Sequence, residues 1–111
     1  MYQFSVTTPT DKPASIKLLR KWSSMGVAEL NNAIKSTAPV IALDYRDDLE
    51  IMEIPEWCEK VKSIYKELSQ LFEKVIIGYA PAIGDEIEYI NNEMFHNLIE
   101  SEIKDYEQEH D

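Results

Sequence analysis

Cysteine, glycine and histidine are scarce in this chain of 111 residues, which has one cysteine, three glycines and two histidines. The single cysteine, Cys58, excludes an internal disulfide and leaves no Cys-x-x-Cys pair for zinc or redox work. It suits a reducing compartment. So few glycines build no phosphate-cradling loop, and there is no Gly-x-Ser-x-Gly elbow to carry a serine nucleophile. No run approaches the roughly 18–20 apolar residues of a membrane span. Met1 to Val6 has no basic stretch ahead of an apolar core, so no secretory signal is expected and a cytoplasmic location is read. Basic side chains are also few, with 11 Lys and Arg against 21 Asp and Glu, for a net charge of −10. A field of that sign repels phosphate backbones, which argues against direct nucleic-acid binding.

What is present fits one folded domain over residues 1–111, because 44% of the residues are hydrophobic and the length suits a single core. The charge is unevenly placed. Residues 1–43 carry Lys12, Lys17, Arg20, Lys21 and Lys35 against Asp11 and Glu29, for +3, and the rest of the chain carries −13. An acidic surface keeps a small protein soluble, and it also steers basic proteins towards it.

Period-two alternation of Tyr2, Phe4 and Val6 predicts a half-buried strand. Asp11 and Pro13 mark a helix entrance, Ile16 and Leu19 recur at helical spacing, and Gly26 is read as the left-handed cap that ends this helix. A second helix is expected over about 27–35, with Val27, Leu30, Ala33 and Ile34 inward and Pro39 blocking its continuation. Val40 to Tyr45 reads as a strand. Leu49 to Ile54 reads as a short edge strand or an extended loop. Pro55 opens the clearest helix, about 56–73, whose stripe runs through Trp57, Val61, Ile64, Leu68 and Leu71. Val75 to Tyr79 gives a third strand. Asp85 and Glu88 then resemble a capping box, and Ile87, Ile90, Met94, Leu98 and Ile99 predict a last helix over about 86–106. Residues 83–90 fit a strand as well. The expected fold is therefore α+β: a β-α-α-β-α-β core over 2–79 with a three-stranded sheet packed by helices, and a helix added within 85–108.

Within Ile16 to Ile34, the positions Ile16, Lys17, Arg20, Gly26, Val27 and Glu29 resemble the first two helices of the C-terminal domain of the bacterial ribosomal large-subunit stalk protein. The resemblance implies a β-α-α-β-α-β fold, which the Clp protease adaptor family shares. It also implies a recruitment surface on the first two helices, for translation factors or for Clp-type proteolysis, centred on Lys17 and Arg20. Ser24 replaces a glycine of the family's turn, and Ala28 and Asn31 stand where the stalk domain has recruiting lysines. The stalk's dimerisation domain and hinge have no counterpart.

Few residues suggest chemistry. Glu93 and His96 form Glu-x-x-His, a spacing that places two metal ligands on one helical face, but a di-metal bundle needs it twice. No metal or other cofactor is expected. Cys58 stands near a helix start, where a thiol can be activated; two nearby glutamates oppose that, and the apolar stripe beside it favours a buried role. Asp44, Asp47, Asp48 and Glu50 lack the central glycine and alternate spacing of a calcium loop. No catalytic set emerges. The candidate partner surface is the acidic connection of Asp44, Tyr45, Asp47, Asp48, Glu50, Glu53 and Glu56. Tyr45 and Trp57 are its aromatic anchors, although Trp57 also falls on the helix stripe. A second acidic patch is the outer face of the last helix: Glu93, Glu100, Glu102, Asp105, Glu107 and Glu109. In size and charge the chain resembles the small acidic bacterial immunity proteins that mask basic nuclease-type toxins. The expected function is thus a non-enzymatic protein-binding module, with a basic toxin domain as partner. The oligomeric state is open.

Overall fold

The computed structural model describes residues 1–44, 52–81 and 84–110. The elements run β1 (Tyr2–Val6), α1 (Lys12–Trp22), α2 (Val27–Ser36), β2 (Pro39–Leu43), α3 (Ile54–Leu71), β3 (Val75–Tyr79), β4 (Glu88–Ile90) and α4 (Asn92–His110). The fold is α+β. Among the described residues its sheet has four strands in the order β2-β1-β3-β4, all neighbours antiparallel. The expected three-stranded sheet followed directly by a helix is corrected: β4 intervenes, and α4 starts six residues later than 86.

The reason lies in the turn after β3. Gly84 adopts φ 91°, a conformation that side chains other than glycine resist. The chain folds back so that Tyr89 stands opposite Gly78 and Ile90 opposite Ile77. A Cβ at Gly78 would lie 2.7 Å from Ile87 Cγ2, so a glycine here lets the chain entering β4 close onto β3. Asn91, rather than Asp85, then caps α4: its Oδ1 accepts from the Met94 backbone N–H at 2.8 Å.

β1 is the centre of the molecule. Tyr2, Phe4 and Val6 are wholly buried, because neighbours pair on both sides. Tyr2 stands between Leu43 and Tyr79, and Phe4 between Ile41 and Ile77. Over this face lie α3, through Trp57, Val61, Ile64 and Leu68, and α4, through Phe95 and Ile99. Leu19 of α1 and Leu30 and Ala33 of α2 join the same cluster. α3 and α4 run antiparallel, since Cys58 meets Glu102 and Tyr65 meets Phe95.

Local signals place the helix starts well. Asp11 caps α1, its Oδ1 accepting from Ala14 N–H at 3.2 Å and its carbonyl from Ser15 Oγ at 2.6 Å, and Thr10 N–H ties this start to α3 by donating to the Leu71 carbonyl at 2.9 Å. Gly26 is not the left-handed end of α1: Ser23 is the C-cap, and Gly26, with φ −75°, is the N-cap of α2. The left-handed cap belongs to Thr37, φ 55°, at the end of α2. Val27, read as inward, is 45% exposed. β2 ends at Leu43 rather than Tyr45, and Ile54 opens α3 rather than closing a strand. Residues 49–51 of that reading lie outside the described residues.

Candidate functional site

The expected partner surface is described at three of its seven positions. Asp44 follows β2 and is half-buried; Glu53 and Glu56 are exposed at the N-cap and first turn of α3. Tyr45, Asp47, Asp48 and Glu50 lie outside the described residues. Trp57 is corrected as a surface anchor. Its side chain is 3% exposed and its ring centroid lies 5.8 Å from that of Tyr2.

Glu53 and Glu56 of the first acidic patch and Asp105, Glu107 and Glu109 of the second share one end of the molecule. Because α3 and α4 are antiparallel, the start of α3 meets the end of α4, and Tyr106 Oη donates to Glu53 Oε2 at 2.7 Å. Around this contact stand Glu53, Glu56, Glu59, Asp105 and Glu109, all exposed. Lys62 pairs with Glu59 at 3.2 Å. Sequence reasoning missed Tyr106 because a tyrosine near a charged helix end carries no pattern of its own.

Glu102 is the exception in the α4 patch. It turns inward, accepting from Tyr2 Oη at 3.3 Å and from the Cys58 thiol at 3.6 Å. Burial raises its carboxyl above the ordinary value of 4.5; the two donors and the N-terminal ammonium pull the other way without cancelling that rise. Burial, then the Glu102 charge, pushes the Cys58 thiol up to about 12. The same two causes raise the phenols of Tyr2 and Tyr79. The thiol is therefore protonated at neutral pH, the opposite of an activated nucleophile. This polar cluster ties α4 to α3 and β1.

The sign of its pH dependence follows. Glu102 holds its proton more tightly folded than unfolded, so its contribution to stability is complete below about pH 4.5 and is lost as pH rises through the raised folded pKa. Glu102→Gln removes that loss. In denaturant titrations at pH 4 and pH 7, the variant should gain on the parent chain as pH rises. Glu100→Gln, an exposed neighbour, should show a smaller change.

Other candidates come apart in the fold. His96 is exposed on α4, with its ring 5.5 Å from Phe95 and 6.3 Å from Tyr65. Among the described residues no group of three or more His, Cys, Asp or Glu comes together to hold a metal. Also among them, no helix is long and apolar enough to cross a membrane. Lys17 and Arg20 are exposed on α1.

A groove that sequence reasoning missed lies between Trp22–Met25 and β2, with a volume of ≈ 270 Å³. Trp22 Nε1 is buried and has no hydrogen-bond partner among the described residues. Leaving such a donor unmet costs about 1–3 kcal/mol.

No protein-family model, curated protein or solved structure matches the chain.

Proposed function

We propose that this chain is a non-enzymatic, acidic protein-binding module: an immunity protein that neutralises a basic nuclease-type toxin by covering its nucleic-acid-binding surface. One observation carries the reading, the placement of Asp105, Glu107 and Glu109 in the last turns of α4. The peptide dipoles of a helix leave partial negative charge at its C-terminal end, where each exposed acid is unfavourable by about 0.3–1 kcal/mol. Glu56, in the first turn of α3, is favoured by the dipole of its helix, whereas the α4 acids are disfavoured by theirs. Solubility would be served by acids anywhere on the surface. Gathered at this end and joined to Glu53 through Tyr106, they make a field that a cationic surface relieves. The protonated, enclosed Cys58 fits a binding role.

The test begins with affinity capture from native cells at low salt and identification of the bound protein. Stopped-flow association with that partner is then compared for the parent chain and for Glu107→Lys/Glu109→Lys. Association is expected to slow about tenfold, with the gap closing as salt rises. The free variant should at the same time become about 1 kcal/mol more stable, because its cations now suit the helix dipole. Asp47→Lys/Asp48→Lys probes the connection in the same way. Equal rates for all three proteins would remove the acidic end from the reading. Capture of elongation factors or a Clp chaperone would favour an adaptor instead.

A further inference from the structure

We propose that the groove beside β2 receives an extended acidic peptide of a partner protein, added as a further strand on the outer edge of the described sheet. The site is separate from the acidic end of α3 and α4 and does not depend on the reading above. Four observations meet there.

The first is the hydrogen-bonding phase of the edge. Thr7 N–H donates to the Lys74 carbonyl and Ala80 N–H to the Met1 carbonyl, both at 3.0 Å. The odd-numbered residues of β1 therefore bond to β3, and Tyr2 and Phe4 bond to Leu43 and Ile41 of β2. Ala42, between those two, turns its N–H and carbonyl away from β1. Among the described residues no backbone hydrogen bond reaches them, and the Ala42 side chain is exposed. Among the described residues β2 is thus an edge with an unused peptide group at its middle. Pro39 at its start limits how far pairing extends.

The second is the groove itself, lined by Trp22, Ser23, Ser24 and Met25 on one side and residues 39–42 on the other. Its ≈ 270 Å³ falls below the roughly 300–1,000 Å³ of small-molecule sites. It has room for one or two side chains of a strand laid along β2. The third is the orphaned indole N–H of Trp22, in the wall of this groove. A carbonyl or carboxylate brought in by a peptide supplies the acceptor it lacks.

The fourth is charge. Lys21 Nζ sits 4.9 Å and Lys60 Nζ 5.7 Å from the Trp22 ring centroid. α1 carries Lys12, Lys17, Arg20 and Lys21 and no acidic side chain. Beyond a screening length of about 8 Å the distant acids are weakly felt. Asp44 stands at the far end of β2, whereas the Trp22 end carries Lys21 and Lys60 beside a basic α1, so the occupant places its acidic side chain at the Trp22 end. Main-chain bonds to Ala42 supply affinity of the strand-addition kind, and the cations select the sequence.

The test is a heteronuclear NMR titration of the full chain with two acetylated, amidated heptapeptides, one alternating Glu with Val and one alternating Lys with Val. The Glu peptide is expected to shift the Trp22 Nε1–H and Ala42 amide signals, and the Lys peptide is not. Ala42→Pro removes an N–H that the β1–β2 ladder does not use, and should weaken binding about tenfold while the rest of the spectrum stays folded. Lys21→Glu should weaken it about threefold. The proposal is overturned if neither peptide shifts these signals at millimolar concentration, if both shift them equally, or if the shifts map to residues 53–59 and 105–109. It is equally overturned if Ala42→Pro, with its fold intact, binds as the parent does. Concentration-dependent broadening of the Ala42 signal without peptide would assign the edge to a second copy of the chain.

Discussion

Phe95→Ala is expected to destabilise the protein by about 3–5 kcal/mol, the cost of emptying a large buried aromatic site. The ring is wholly buried. It stands edge-on to Tyr2 at 5.5 Å and to Phe4 at 6.0 Å, and lies 5.0 Å from Tyr65. It thus joins α4 to the central strand and to α3 at once, and no neighbouring side chain fills the space it leaves. Met94→Ala is the paired control. Met94 is 47% exposed, so its loss should cost well under 1 kcal/mol. Chemical denaturation of the two variants separates them. The reverse order would mean that α4 is turned about its axis relative to the arrangement described above.

Trp57→Ala should have an effect of similar size, about 3–5 kcal/mol, and on folding rather than on association. The side chain lies in the first turn of α3, 3% exposed, and packs on Tyr2 beneath the acidic end. It therefore supports the surface from behind. Denaturation midpoints measure the loss directly. Unchanged stability together with abolished partner binding would return Trp57 to the role of docking anchor.

Much of the fold was legible because single periodicities dominate. Tyr2, Phe4 and Val6 alternate without competition, and β3 is bounded by residues that end a strand. The α3 stripe repeats over five turns, so its burial follows from the spacing alone, with the helix beginning at Ile54 rather than Glu56. The region after β3 was harder for a physical reason. Ile87 and Ile90 satisfy a helical stripe and a strand equally, and the choice is made by pairing with β3, a contact no local pattern records. Once β4 takes residues 88–90, α4 must start at the next cap, Asn91, and its inward face shifts from Met94 to Phe95. That face runs Phe95, Ile99, Glu102, Ile103 and Tyr106. A carboxylate in the middle of it disguises it, and Glu102 was accordingly read as outward.

The acidic end was half legible. Composition shows which residues are charged, and their offset towards the second part of the chain is plain in the sequence. That the start of α3 and the end of α4 share one end of the molecule depends on their antiparallel packing, which arises from Phe95 and Ile99 docking beside Tyr65 and Cys58. The groove at β2 was not legible, since an edge exists only once the strand order is known. Trp22 gave a weak signal: a large aromatic at the last position of a basic helix, with neither face of the helix clearly its own.

The strand order has a kinetic consequence. β1, which is made before the other described strands, finds its neighbours in residues 39–43 and 75–79. Its pairing with β3 closes a loop of some seventy residues, and non-local pairing of this kind slows folding well below the rate of a helical bundle. Until β3 emerges, Tyr2, Phe4 and Val6 wait with one flank of their backbone unpaired and with no completed core to enter. The nascent chain thus carries its central strand incompletely paired until residue 79 is made, and that interval is when a chaperone has most to protect.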